Sequence, residues 1–168
     1  MSIFSHSRAL CAAAGLLLAA TAGAGELAAA DRAALEKLVT RADAAWDSRD
    51  AAGLAALYIA DGTLRVGSVN ATVEGAAAIR DYFTASFARV EPQMRHETTL
   101  VGLHPINHDV VVADTTVELV RVAADGSRTV VRRFTTPTVA VRSGAEWRIG
   151  AARAQVIPEA KADKPAGG

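Results

Sequence analysis

The apolar residues Leu35, Leu38, Val39, Ala42 and Trp46 recur at spacings of three and four, which places them on one face of a helix. Asp31 stands where an N-cap belongs, and Arg32, Glu36, Lys37, Arg41 and Asp43 lie largely off the apolar face. After the break at Ser48-Arg49, Asp50 reads as the cap of a short second helix with Leu54, Leu57 and Tyr58 on one side, ended by Asp61-Gly62. Short strands are predicted over 63–66 and around 72–73. Gly75 then precedes a third helix over 76–89, whose ridge is Ile79, Phe83 and Phe87. Beyond Pro92 the pattern turns to strict alternation and predicts strands over 96–103, 110–122, 128–142 and 146–157. Asp125-Gly126 and Ser143-Gly144 are hairpin turns between such runs, and 105–109 is a third connection. Helices gathered before an antiparallel meander make an α+β chain, with the helices covering one face of a curved sheet.

Two segments stand outside that pattern. Residues 1–24 carry Arg8, an uncharged run over 9–20 and the small-residue exit Ala22-Gly23-Ala24, the anatomy of a secretory signal peptide. Twelve apolar residues are too few to span a bilayer, which needs about 20. Cleavage is expected after Ala24, with Ala22 or a site a few residues later as alternatives, and the product would be periplasmic or secreted. The one cysteine, Cys11, is lost with the leader, so the domain over 25–158 must be held by its core alone. Residues 159–168 are polar, contain Pro and Gly, and read as a disordered tail.

Composition narrows the function. The chain has 168 residues with 18 basic and 18 acidic side chains, a balance that argues against binding nucleic acid through bulk electrostatics. Of its apolar residues 38 are alanine and only eight are aromatic, so the core is built from small groups. No Gly-rich phosphate loop or nucleophile-elbow serine occurs, which leaves nucleotide binding and acyl transfer unsupported and implies no cofactor. His104 and His108 are four apart across a proline-containing turn, a poor presentation for a metal, and no metal site is assigned. The sequon Asn70-Ala71-Thr72 is read as chance.

Trp46-Asp47-Ser48-Arg49-Asp50, the Leu54/Leu57/Tyr58 face ending in Asp61-Gly62, Gly75-Ala76-Ala77-Ala78-Ile79, and Glu146-Trp147-Arg148-Ile149 together resemble the nuclear transport factor 2-like superfamily. Within it the chain looks most like the exported SnoaL-like (ketosteroid isomerase-like) proteins of bacteria. The resemblance spans about 31–157 and implies a cone: a strongly curved antiparallel sheet closed by three helices around a pocket. It also implies a homodimer through the outer sheet face. The general-base aspartate of the ketosteroid isomerases would fall near Val66 and their helix tyrosine near Ala42, neither of which does that chemistry.

Strand alternation then suggests the pocket lining. Ala113, Thr115, Val117 and Leu119 form one inner set. Taking Trp147, Ile149 and Ala151 as inward carries Arg153 and Gln155 with them. Taking Val141, Val139 and Pro137 as inward carries Thr135 and Arg133. Two inward arginines imply a small organic ligand with an anionic group, the alternatives being pairing with Asp61 or exposure at the rim. His96 is the candidate general base, and Trp46 and Tyr58 are candidate walls. The expectation is a pocket that binds a small ligand. The enzyme alternative is a lyase or isomerase in which Arg133 or Arg153 stabilises charge that His96 generates.

Overall fold

The alternating and helical patterns become ten elements in a computed structural model that describes residues 26–67 and 72–158. The leader 1–24, the sequon at Asn70 and the tail 159–168 lie outside the described residues. In chain order the elements are α1 (Ala29–Asp47), α2 (Ala51–Ala55), β1 (Tyr58–Val66), β2 (Val73–Glu74), α3 (Ala76–Phe87), β3 (Met94–Asn107), β4 (Val110–Val122), β5 (Arg128–Thr135), β6 (Thr138–Ser143) and β7 (Glu146–Val156). The strands form one strongly curved sheet in the order β2-β1-β7-β5-β4-β3, with β6 inserted between β4 and β7. Every pairing is antiparallel except β1 with β7, which is parallel. The helices close the concave side, and Leu35, Leu38, Leu54, Ile79, Val111, Trp147 and Ile149 pack into one buried core.

Asp50 caps α2 as the sequence predicts, accepting from Gly53 N at 2.8 Å. Asp31 does something else. α1 begins three residues earlier, at Ala29 after an uncapped Ala28, and the Asp31 carboxylate lies within its first turn. There it accepts from Trp147 Nε1 at 3.0 Å and pairs with Arg142 at 2.8 Å, while Arg142 also stacks over the Trp147 ring. The side chain read as a local cap therefore ties α1 to the β6–β7 hairpin.

The second helix stops earlier than its apolar pattern suggests. Tyr58 starts β1, and Gly62 lies within that strand rather than after a helix. Between Tyr58 and Thr63 the β1 register jumps against β7, so β1 bulges. A Cβ at Gly62 would sit 3.1 Å from the Ile149 and Ile59 carbonyl oxygens, so glycine is required by backbone approach.

The run expected as one strand over 128–142 is interrupted at Thr136-Pro137, since proline cannot donate to the ladder. Its inner face is also the reverse of the expected one. Val117 faces Phe134, Ala113 faces Thr138 and Val111 faces Ala140 across the pairing. Directly opposed residues share a face, so the inward set is Phe134, Thr138 and Ala140, and Arg133, Thr135, Val139 and Val141 point outward. In β7 the expectation holds through Ile149 and then fails. Ala140 pairs with Ile149 but Val139 with Ala151, so Gly150 is an extra residue. That bulge turns Ala152 and Ala154 inward and Arg153 and Gln155 outward.

Two outcomes follow. Gly62→Ala is expected to lower stability by about 1–3 kcal/mol, the usual cost of overpacking, measured by urea unfolding. The hydrogen bond from Trp147, and then Arg142, holds the Asp31 carboxyl below the usual aspartate range. Such a group stabilises the fold at neutral pH, and its contribution is lost as pH falls through the lowered value. Asp31→Asn should therefore narrow the gap between neutral and acid stability, measured by urea midpoints on both sides of the aspartate range.

Candidate functional site

Inside the cone lies a cavity of about 250 Å³. α1 contributes Leu35, Leu38, Val39, Ala42 and Trp46, the whole stripe read from its periodicity, and α3 contributes Tyr82, Phe83, Ser86 and Phe87. The sheet supplies alternating residues such as Leu119, Val117, Phe134, Ala140, Ile149 and Ala152. Val66 and Ala42, the positions matching the ketosteroid isomerase base and tyrosine, both line it and carry no ionisable group.

The polar groups are few and clustered. His96 and Thr98 point inward from β3, opposite Leu119 and Val117. His96 Nδ1 lies 2.7 Å from Asp43 Oδ1 on α1. Thr98 Oγ1 donates to the same oxygen at 2.6 Å, and Thr98 N donates to Asp43 Oδ2 at 3.0 Å. Asp47, one turn along α1, accepts from His96 N at 2.8 Å. With Asp43 ionised, the shared proton resides on Nδ1, which leaves Nε2 as a lone-pair acceptor with no hydrogen-bond partner among the described residues. An imidazole oriented by a carboxylate and open at its second nitrogen can take up and return a proton.

Two further polar features stand on the lining, which also carries the Tyr82 and Ser86 hydroxyls. Tyr58 is buried, and burial, against the opposing pull of Arg153, pushes its phenol well above the ordinary range. It therefore stays a neutral O–H that donates and does not act as a base. Thr115 Oγ1 and Thr138 Oγ1 both donate to the Thr136 carbonyl, at 2.9 and 3.2 Å. Thr136 Oγ1 is buried without a partner among the described residues.

The structure thus places three of the sequence-derived site residues, His96, Trp46 and Tyr58, on the cavity wall. The other four lie elsewhere. Arg133 is exposed and paired with Glu118 at 2.7 Å, and Thr135 beside it is exposed. Arg153 donates to Thr63 Oγ1 at 3.1 Å and, with Gln155, lines a separate outer groove. Sequence reasoning missed Asp43, which looked like a solvent-facing residue of α1. The available signal was its i,i+4 spacing from Asp47, which sets two acceptors on one flank of the helix. His104 and His108 are exposed and paired with Asp114 and Asp109. Among the described residues no group of three metal-binding side chains converges, and no helix is long and apolar enough to cross a membrane.

Comparison with known proteins agrees with this architecture. An NTF2-like protein with a cystatin-like fold from Novosphingobium aromaticivorans is 22% identical, with TM-score 0.68 over 79% of this chain and 85% of that one. A Catenulispora acidiphila protein, solved in complex with S-DNPA, is 22% identical, with TM-score 0.67 over 77% and 95%. Aln2 from a Streptomyces species is 18% identical, with TM-score 0.70 over 77% and 92%. At these identities the likeness establishes the fold. No curated protein matches the chain. The SnoaL-like domain family matches residues 28–153, nearly all of the described structure, and the chain belongs to that family.

Proposed function

We propose that the cone takes up a small, uncharged, largely apolar organic molecule and that His96, oriented by Asp43, exchanges a proton with it through Nε2. The observation that carries this is the 2.7 Å Asp43–His96 pair at the wall of a largely apolar cavity. An imidazolium formed there stays beside an ionised carboxylate, so the charge-separated state is stabilised without help from solvent. Tyr58 is the neutral donor suited to a carbonyl or hydroxyl oxygen on which charge develops. A proton-transfer reaction of the isomerase or lyase class fits this set. Binding without turnover is the reading if Nε2 only accepts a hydrogen bond from the ligand.

The anionic ligand suggested by Arg133 and Arg153 loses its support, because both guanidiniums lie outside the cavity. The complex of the Catenulispora protein with S-DNPA supports the idea that this fold accommodates a small molecule. Export is part of the proposal and rests on the pattern over 1–24. A homodimer is too, supported by the mixed outer sheet face, where Thr135 and Arg133 stand beside Glu118.

Native mass spectrometry of protein purified from its source cells is expected to show a dimer lacking residues 1–24 and carrying a neutral organic mass. That compound, incubated with the protein in D2O, should gain deuterium, and His96→Gln should slow the exchange by about 10²–10⁴-fold. Exchange unaffected by His96→Gln would overturn the proton-transfer reading. Arg133→Ala and Arg153→Ala should leave affinity for the compound unchanged. Asp43→Asn should cost about 1.5–3 kcal/mol of stability, since its neutral amide replaces a carboxylate accepting three hydrogen bonds. Chemical unfolding measures that loss.

A further inference from the structure

Asp43 holds the His96 ring at Nδ1, and the face of that ring is supported separately, by packing. Trp46 supplies a surface: its ring centroid lies 5.2 Å from that of His96, with the planes 31° apart. What holds Trp46 is Arg49, whose guanidinium carbon lies 4.5 Å from the indole centroid. Phe87 meets the same indole edge-on at 5.7 Å.

Arg49 is unusual in its backbone as well. It is the one non-glycine residue with positive φ among those described, at 60°. A glycine would adopt that conformation without strain, so the arginine is held there by its side chain. Nη1 donates to the Trp46 carbonyl at 2.9 Å, and Nη2 to the Glu91 and Met94 carbonyls at 2.9 and 3.0 Å. The fork thus joins the end of α1 to the segment leading into β3, the strand that carries His96. A planar guanidinium can stack on the indole while its edge donates to several carbonyls, which an ammonium cannot do.

We propose that Arg49 is a positioning residue: by clamping Trp46 it sets the plane against which the His96 imidazole rests, and so the direction in which Nε2 enters the cavity. The inference rests on the assignment of His96 above and deepens it. The charged groups around this cluster are Asp43 and Asp47 from α1, Arg49 itself, Arg95 from β3 and Glu91 from the loop before it.

The test is optical and needs no ligand. In a Trp147→Phe background Trp46 is the only tryptophan. Its emission should be lower in mildly acidic than in mildly alkaline buffer, because a protonated imidazole in contact quenches indole more strongly, and His96→Gln should abolish that step. Arg49→Gly suits the backbone and deletes the clamp. It should remain folded by far-UV circular dichroism while losing about half or more of the step, with Arg49→Lys in between. An unchanged step in Arg49→Gly overturns the proposal, as does the absence of any His96-dependent step in the background protein. Should Arg49→Gly fail to fold, Arg49→Lys decides: a wild-type step overturns the clamp and a diminished one supports it. A full step alongside ligand exchange that ignores His96 would sink the proton-transfer reading alone, so the two failures are distinguishable.

Discussion

The cone depends on two carboxylates that finish an unfinished strand. β3 is the last strand of the sheet, so alternate N–H groups along it have no neighbouring strand to bond. At His96 and Thr98 those donors are taken by Asp47 and Asp43, one turn apart on α1. This contact stops the sheet from extending and brings the apolar stripe of α1 over the concave face. It also places an acceptor beside His96 Nδ1. Closure of the cavity and orientation of the imidazole are therefore one structural event. Removing either carboxylate would leave a half-buried donor unpaired, which costs more than the hydrogen bond itself contributes.

The outer face follows a different electrostatic logic. Glu97 and Glu118 stand directly opposite one another on β3 and β4, an arrangement that repels. Each is neutralised by an arginine, Glu97 by Arg128 and Glu118 by Arg133. The arginines that looked like ligand anchors are thus engaged in balancing a like-charged cross-strand pair and in bonding Thr63 at the outer groove. The concave face carries no such arginines; besides His96 its polar side chains are hydroxyls and the Trp46 indole. An apolar interior excludes unpaired charge at a cost of several kcal/mol per ion, which is the ground for proposing an uncharged guest.

Most of the fold was legible because long elements repeat their signal. The α1 stripe and the β4 alternation each offered several concordant positions, and both inner faces were read correctly. The errors arose where one residue decides a face. Val139 and Val141 look like core residues by composition, yet pairing with the correctly read β4 requires Thr138 and Ala140 to be inside. Trp147 and Ile149 set the β7 face properly until Gly150, an inserted residue that periodicity cannot register in advance. The family resemblance was carried by turn and helix-start residues, which specify chain path. That is why it pointed to a cone and left the lining of β5 and β7 undetermined.

The site was less legible than the fold for a related reason. His96 can be singled out from sequence because histidine is rare and chemically distinctive, but its partner cannot. Asp43 is one of many charged residues on a helix flank, and its role exists only because β3 runs beside it 53 positions later. Asp31 shows the same limit: its local reading as a cap was overtaken by a bond to Trp147 across 116 positions. In both cases a carboxylate at a helix surface bonds a distant strand instead of its own helix. In this domain the short-range signals fix where each element lies, while long-range pairing of acids with strand residues fixes how the polar side chains of the site are arranged. The wide sequence separation of Asp43 and His96 follows from this architecture, since α1 of the cover and β3 of the wall are separate stretches of the chain.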